Sequence, residues 1–131
     1  MDRVTRIILR LDAVFDFSFG VLMLFAPFIG DLFRALDLPS PQPEIYTQLG
    51  GGLLLVCAYL LWIAPGNPTL ARPVALSIGL INVLGVVLLP GWVFLGNLGV
   101  GTLGKTILLA ASAALLIFSA TELRYVGRTK R

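Results

Sequence analysis

Apolar residues fill this chain in four long blocks, separated by short polar or proline- and glycine-rich breaks. The blocks cover residues 11–30, 45–64, 73–95 and 106–123. Each holds about 18–23 residues, the length that crosses a hydrocarbon core about 30 Å thick at 1.5 Å per residue. The pattern predicts an all-α polytopic membrane protein: four transmembrane helices in an antiparallel bundle, one integral membrane domain over residues 1–131.

The breaks refine this layout. Asp2 or Thr5 can cap the entering helix, and Pro27 marks the end of the first span. The segment from Asp31 to Leu38 predicts a short helix lying in the membrane interface. Pro39, Pro41 and Pro43 then impose extended backbone. Glu44 sits at the start of the second span, where a negative charge suits the helix dipole. Pro65-Gly66-Asn67-Pro68 is a tight-turn signal that makes spans two and three an antiparallel hairpin. Tyr46 and Trp92 fall at one membrane boundary, Trp62 and Tyr125 at the other, as interfacial aromatics do.

Composition strengthens the membrane reading. The chain is 57% hydrophobic and 13% charged, against about 25% charged in soluble domains. A soluble fold of this size cannot cover so much apolar surface. The first block does not read as a cleavable signal peptide: it is too long, contains Asp16, and has no small-residue cleavage pattern before Asp31. Cys57 is the single cysteine and there is no histidine, so no disulfide framework, metal site or resident cofactor is predicted. Proton chemistry falls to Asp, Glu, Tyr or Lys.

The net charge of +3 is topological rather than a sign of nucleic-acid binding. Arg3, Arg6, Arg10, Arg72, Arg124, Arg128, Lys130 and Arg131 lie on one side of the four-span layout, and only Arg34 and Lys105 on the other. The positive-inside rule places both termini in the cytoplasm. The basic tail is placed to meet anionic headgroups.

One motif misleads. Gly99, Gly104, Lys105 and Thr106 fit the phosphate-binding pattern G-x-x-x-x-G-K-[ST], and Gly99, Gly101 and Gly104 fit G-x-G-x-x-G. A nucleotide site of that kind needs a buried strand and a soluble sheet around it. Here spans flank the motif and it falls outside the cytoplasm, so no nucleotide is expected. It reads as a turn whose glycines allow close backbone approach. A second reading puts an anion or lipid headgroup beside Lys105.

Polar residues within the spans carry the functional expectations, because charge inside a bilayer is costly and usually faces the bundle interior. Asp12 and Asp16 share a face of span one. Glu44, Gln48, Gly52 and Tyr59 read as a stripe on span two. Ala71, Ala75 and Gly79 form a small-residue packing series on span three that leads to Asn82. Lys105, Ser112 and Ser119 align on span four. An intramembrane polar pocket of Asp12, Asp16, Gln48, Tyr59 and Asn82 is expected, with Asp16 meeting Tyr59 and Ser77. Glu44, Gln48 and Lys105 are expected at an outer mouth. The plainer alternatives pair Asp12 and Asp16 with Arg6, Arg10 or Arg72, make Asn82 a packing hydrogen bond, and turn Tyr59 toward lipid.

Three stretches resemble the DoxX-like family of small bacterial four-span membrane proteins: Arg10-Leu-Asp12 entering the first span, the loop Leu38-Pro-Ser-Pro-Gln-Pro43, and Gln48-Leu-Gly-Gly-Gly-Leu-Leu-Leu55 opening span two. The resemblance implies a multi-pass protein of the bacterial inner membrane. It also implies an association with membrane redox systems, of which a quinone-linked sulfur oxidoreductase subunit is one. Gln48 stands where that family often carries an acidic residue.

Three functions fit these features. The first is an accessory or structural subunit of a membrane assembly, redox or otherwise, with a partner membrane protein. The second is a binding protein or enzyme for a quinone, isoprenoid or lipid. The third is a channel or transporter formed as a homo-oligomer through Ala71, Ala75 and Gly79.

Overall fold

The computed structural model describes residues 1–39, 44–96 and 99–128. Pro41, Pro43, Lys130 and Arg131 lie outside these. The described residues are helical with no strand: α1 (Arg3–Leu24), α2 (Gly30–Ala35), α3 (Ile45–Ile63), α4 (Pro68–Leu95) and α5 (Thr102–Arg128), with single 3₁₀ turns at Ala26–Phe28 and Ala64–Gly66. By length and composition α3, α4 and α5 can each cross a membrane. α1 is more charged, carrying Arg3, Arg6, Arg10, Asp12 and Asp16.

Local chemistry sets the helix ends, and it moves the first one. Asp2 Oδ1 accepts the Thr5 N–H at 2.7 Å, so α1 begins well before the apolar block. That bond holds the Asp2 carboxyl below its ordinary pKa. Pro27, in the 3₁₀ turn, ends the same helix at Leu24 rather than at residue 30. The short helix expected after Asp31 is α2; its Asp31–Arg34 pair, at 4.0 Å and fully exposed, contributes little. Asn67 opens α4 by accepting from Thr69 N–H and Leu70 N–H, with Pro68 at the first helical position.

The helices associate as two close pairs, α1 with α3 and α4 with α5. Each pair is antiparallel. Leu9 and Ala13 share a core with Leu61 and Cys57, while Gly20, later in α1, meets Gly51, earlier in α3. Likewise Gly79 faces Glu122 and Gly85 faces Leu115. α3 and α4 share that core near their connection but run apart beyond it. The hairpin expected of them is therefore a tight turn between helices that each pack mainly on another neighbour.

Glycine governs the α1–α3 contact. A Cβ on Gly51 would lie 2.5 Å from the Leu24 nitrogen and 2.7 Å from the Gly20 oxygen, so only glycine lets the two backbones approach. Ala71, Ala75 and Gly79 are consumed within the chain: Ala71 and Ala75 are buried and Gly79 lies against Glu122. The outer surfaces are apolar, with Leu49, Leu53, Leu84, Val87, Leu88, Phe94 and Ile117 all exposed.

Proline inside α4 draws a partner from α5. Pro90 has no N–H, so the Val86 carbonyl loses its helical donor. Ser112 Oγ donates to it at 3.3 Å. The same logic applies where α1 ends: Gln48 Nε2 donates to the Leu24 carbonyl at 3.4 Å. In an apolar surround freed backbone groups need such replacements.

Replacing Gly51 with Ala should lower stability by about 1–3 kcal/mol, the usual cost of overpacking. Gly52→Ala, where an added Cβ meets nothing within 4 Å, should leave stability unchanged or slightly raised. Unfolding of the detergent-solubilised protein, followed by circular dichroism, compares the two.

Candidate functional site

Three helices meet at one buried place, two bringing acidic side chains and the third an amide. Asp12 of α1 and Glu122 of α5 are both 0% exposed; Asp16 of α1 and Asn82 of α4 are each 3% exposed. Asn82 Nδ2 donates to Asp12 Oδ2 at 2.8 Å and to Glu122 Oε2 at 3.1 Å. Both amide hydrogens are therefore committed to carboxyl oxygens. Asp12 Oδ1 and Glu122 Oε1 are buried without a hydrogen-bond partner.

Helix geometry explains the meeting. Asp12 lies about 14 Å along α1 from its start, and Glu122 about 9 Å from the end of α5, at 1.5 Å per residue. Asp16 follows Asp12 by one turn on the same face. Gly79, one turn before Asn82, has no side chain, and its hypothetical Cβ would sit 3.2 Å from Glu122 Cβ. That gap lets the glutamate lie against α4. Phe118, one turn before Glu122, packs edge-on against Phe15 of α1 with centroids 5.7 Å apart.

No cation balances this cluster among the described residues. The ion pairs there are Arg34–Asp31 and Arg128–Asp2. Arg6, Arg10 and Arg72 are exposed, and Arg10 sits 5.5 Å over the Trp62 ring. The alternative in which Asp12 and Asp16 pair with these arginines is not what forms. Nor do the described residues include a group of three or more His, Cys, Asp or Glu placed to hold a metal ion.

Other expected site residues are elsewhere. Tyr59 is 64% exposed and Ser77 is exposed too, so neither meets the buried Asp16. Gln48 is spent on the Leu24 carbonyl. Glu44 and Lys105 are both exposed. Two glycines of the phosphate-like motif, Gly101 and Gly104, are already faced by Asp37, which has a positive φ of 51°. A Cβ on Gly101 or Gly104 would collide with Asp37 atoms. The close backbone approach expected of this turn is thus made by the chain itself.

Glu122 was not among the sequence candidates. It lies at the end of the fourth apolar block and reads as a boundary residue. The Ser112–Ser119 stripe, continued by three residues, leads to it, and both serines are buried.

The chain matches no known protein family, characterised protein or solved structure.

Asn82→Leu should destabilise the fold by at least about 2 kcal/mol, because it strips two buried carboxyls of their shared donor. Adding Asp12→Asn and Glu122→Gln to that variant should recover part of the loss. Equal unfolding midpoints for wild type and Asn82→Leu would show the bridge to be energetically idle.

Proposed function

We propose that this chain is a four-span protein of the bacterial inner membrane, both termini cytoplasmic. In this reading it serves as an accessory subunit of a membrane assembly and holds a proton within the membrane at the Asp12–Asn82–Glu122 cluster. The observation that carries the reading is the pair of fully buried carboxyls on one amide, each with an unpartnered oxygen. Taking one ionised acid out of water into the helix interior is already costly. Two carboxylates on a single neutral donor add mutual repulsion. A proton on one of them removes that repulsion and supplies a donor where the unpartnered oxygens need one. Asp16, a turn away, extends the acidic track along α1.

The α1 helix is included as a span because its inner face carries the acids and its basic residues sit at the terminal end. The charge asymmetry across the layout supports cytoplasmic termini. The resemblance to the DoxX-like family agrees with that location and with a redox assembly. A pocket for a lipophile lined jointly by Asp16, Tyr59, Asn82 and Gln48 is not favoured, because Tyr59 is exposed and Gln48 is taken by the Leu24 carbonyl. An oligomeric channel built on Ala71, Ala75 and Gly79 loses its interface, since that stripe packs inside the chain.

A second reading has an observation of its own. Asp12 and Glu122 are wholly enclosed, so the cluster can also be a static lock between helices.

Infrared spectroscopy of the reconstituted protein separates the two. A protonated-carboxyl band at neutral pH, lost in Asp12→Asn or Glu122→Gln, is expected. On transfer to heavy water the band should shift promptly if the proton exchanges. A band that never shifts marks the lock, and no band at neutral pH overturns the proton-holding reading.

Topology is tested by cysteine labelling in a Cys57→Ser background. Cysteines at Arg3 and Arg128 should react only from the cytoplasmic side, and one at Leu95 only from outside. Labelling of Arg3 and Arg128 positions from opposite sides would exclude four spans.

A further inference from the structure

A groove of about 440 Å³ runs between α1 and α3 on the outside of the molecule. That is within the range of small-molecule clefts. Phe17, Tyr59 and Trp62 form its walls and the small residues Ala13 and Ala58 its floor. The walls are exposed by 57%, 64% and 55%.

The groove has a charged end. Arg10 precedes Ala13, Val14 and Phe17 by three, four and seven residues, so it shares their face of α1. Its guanidinium lies 5.5 Å over the Trp62 ring, which itself lines the groove. Arg6 and Arg3 continue that face by one and two turns and are exposed. The neighbouring acid, Asp2, is already taken by Arg128 at 3.5 Å. The remaining acids of α1, Asp12 and Asp16, are buried on the opposite side.

We propose that this groove is a binding site for an anionic phospholipid of the cytoplasmic leaflet. One acyl chain lies along Ala13 and Ala58, between Phe17, Tyr59 and Trp62. The phosphate meets Arg10, with Arg6 and Arg3 beyond it. The shape and charge both select this occupant. A neutral lipophile such as a quinone would make no use of three arginines in line above the groove. A partner helix needs a small-residue surface for close approach, and here aromatic rings stand out from it. Arg is suited to the task because its planar fork binds phosphate while its face stays on the indole. Basic residues at the cytoplasmic end of a helix pair are a known means of holding anionic headgroups.

The proposal rests on α1 lying in the membrane, and the experiment separates that premise from the site itself. The chain has two tryptophans, so Trp92→Phe leaves Trp62 as the sole emitter. This variant is reconstituted in phosphatidylcholine vesicles. A minor fraction of the lipid is either phosphatidylglycerol or phosphatidylcholine with brominated acyl chains. Brominated phosphatidylglycerol should quench Trp62 with about fivefold the apparent affinity of brominated phosphatidylcholine, the effect of one basic residue at such a surface. Arg10→Gln should bring the ratio near one. Val14→Trp carrying Trp62→Phe, a change at an exposed position that fills the groove, should quench equally with both lipids.

Equal quenching by both lipids in the parent variant overturns the site while leaving the membrane reading intact. No quenching by either places Trp62 outside the bilayer and overturns the premise. Unequal quenching that survives Arg10→Gln overturns the assignment of the headgroup. A quinone or a protein retained at this surface in native mass spectrometry, in place of phosphatidylglycerol, overturns the choice of occupant.

Discussion

Asn82 offers two hydrogens from one nitrogen, and both go to acids on other helices. The consequence reaches beyond one residue. α1 and α3 form one close pair and α4 and α5 the other, so something must join the pairs. Asn82 belongs to α4, Glu122 to its own partner α5, and Asp12 to the opposite pair. The bridge to Asp12 at 2.8 Å therefore crosses between pairs. Apolar contact does not by itself fix one register, since neighbouring leucines and valines offer similar surfaces. A slip of α1 by one turn would withdraw Asp12 from its donor and leave it buried without compensation. Hydrogen bonds to charged groups contribute about 1.5–3 kcal/mol each, and an abandoned buried acceptor costs a similar amount. That asymmetry sets the alignment, and the packing of Leu9, Leu61, Ala75 and Ile78 follows it.

The remaining polar side chains in these helices mostly serve the backbone. Ser112 replaces the donor that Pro90 removed from Val86, and Gln48 replaces the donor missing from Leu24. Ser18, Thr106 and Thr121 bond carbonyls one turn back on their own helices. In an apolar surround a carbonyl without a donor is as demanding as a ligand site. A polar residue in such a helix thus has two employers, and a proline four residues after a carbonyl is the sign of the first. Asp12, Glu122 and Asp16 are different because carboxylates have no hydrogen to give a carbonyl. Their presence in the interior is not explained by backbone repair.

How far the sequence could be read follows from the same physics. Apolar block length predicted the long helices, and Asp2, Pro27 and the Pro65-Gly66-Asn67-Pro68 turn marked helix ends, whereas Pro73 and Pro90 fall inside α4. α1 was displaced because Asp2 and Pro27 outweigh hydropathy at its two ends. Asp12 and Asn82 stood out as polar residues in apolar surroundings. Glu122 did not, because the end of a block looks like the end of a span, whereas α5 continues to Arg128. Tyr59 was misplaced for a geometric reason. Depth along a helix follows from residue number, but azimuth drifts. Thr47, Gly51, Cys57, Ala58 and Leu61 mark the buried face of α3, and at about 100° per residue Tyr59 points roughly 80–160° away from each of them. The phosphate-like glycines were legible as positions of close approach. That the approaching segment is Asp37 was not, since nothing local in either stretch refers to the other.

The two faces of α1 carry opposite charges for separate reasons, and this ties them together. Its inner face presents Asp12 and Asp16 to the other helices. Its outer face presents Arg10, with the cation over Trp62 of α3. Successive residues advance by about 100°, so a rigid α1 cannot turn its acids outward without also carrying Arg10 off the Trp62 ring. It cannot slide either, because Gly20 and Gly51 fix its backbone against α3 with no spare distance. Motion that exposed the carboxyls would therefore have to carry α1 and α3 as a unit away from α4 and α5. The interface between the pairs is the place that permits it. Beside the core that Leu9 and Leu61 share with Ala75 and Ile78, it holds the Asn82 bridge and the edge-on ring contact of Phe15 with Phe118. A change of protonation at Asp12 or Glu122 acts on that bridge directly, since it alters the acceptor that the Asn82 amide holds.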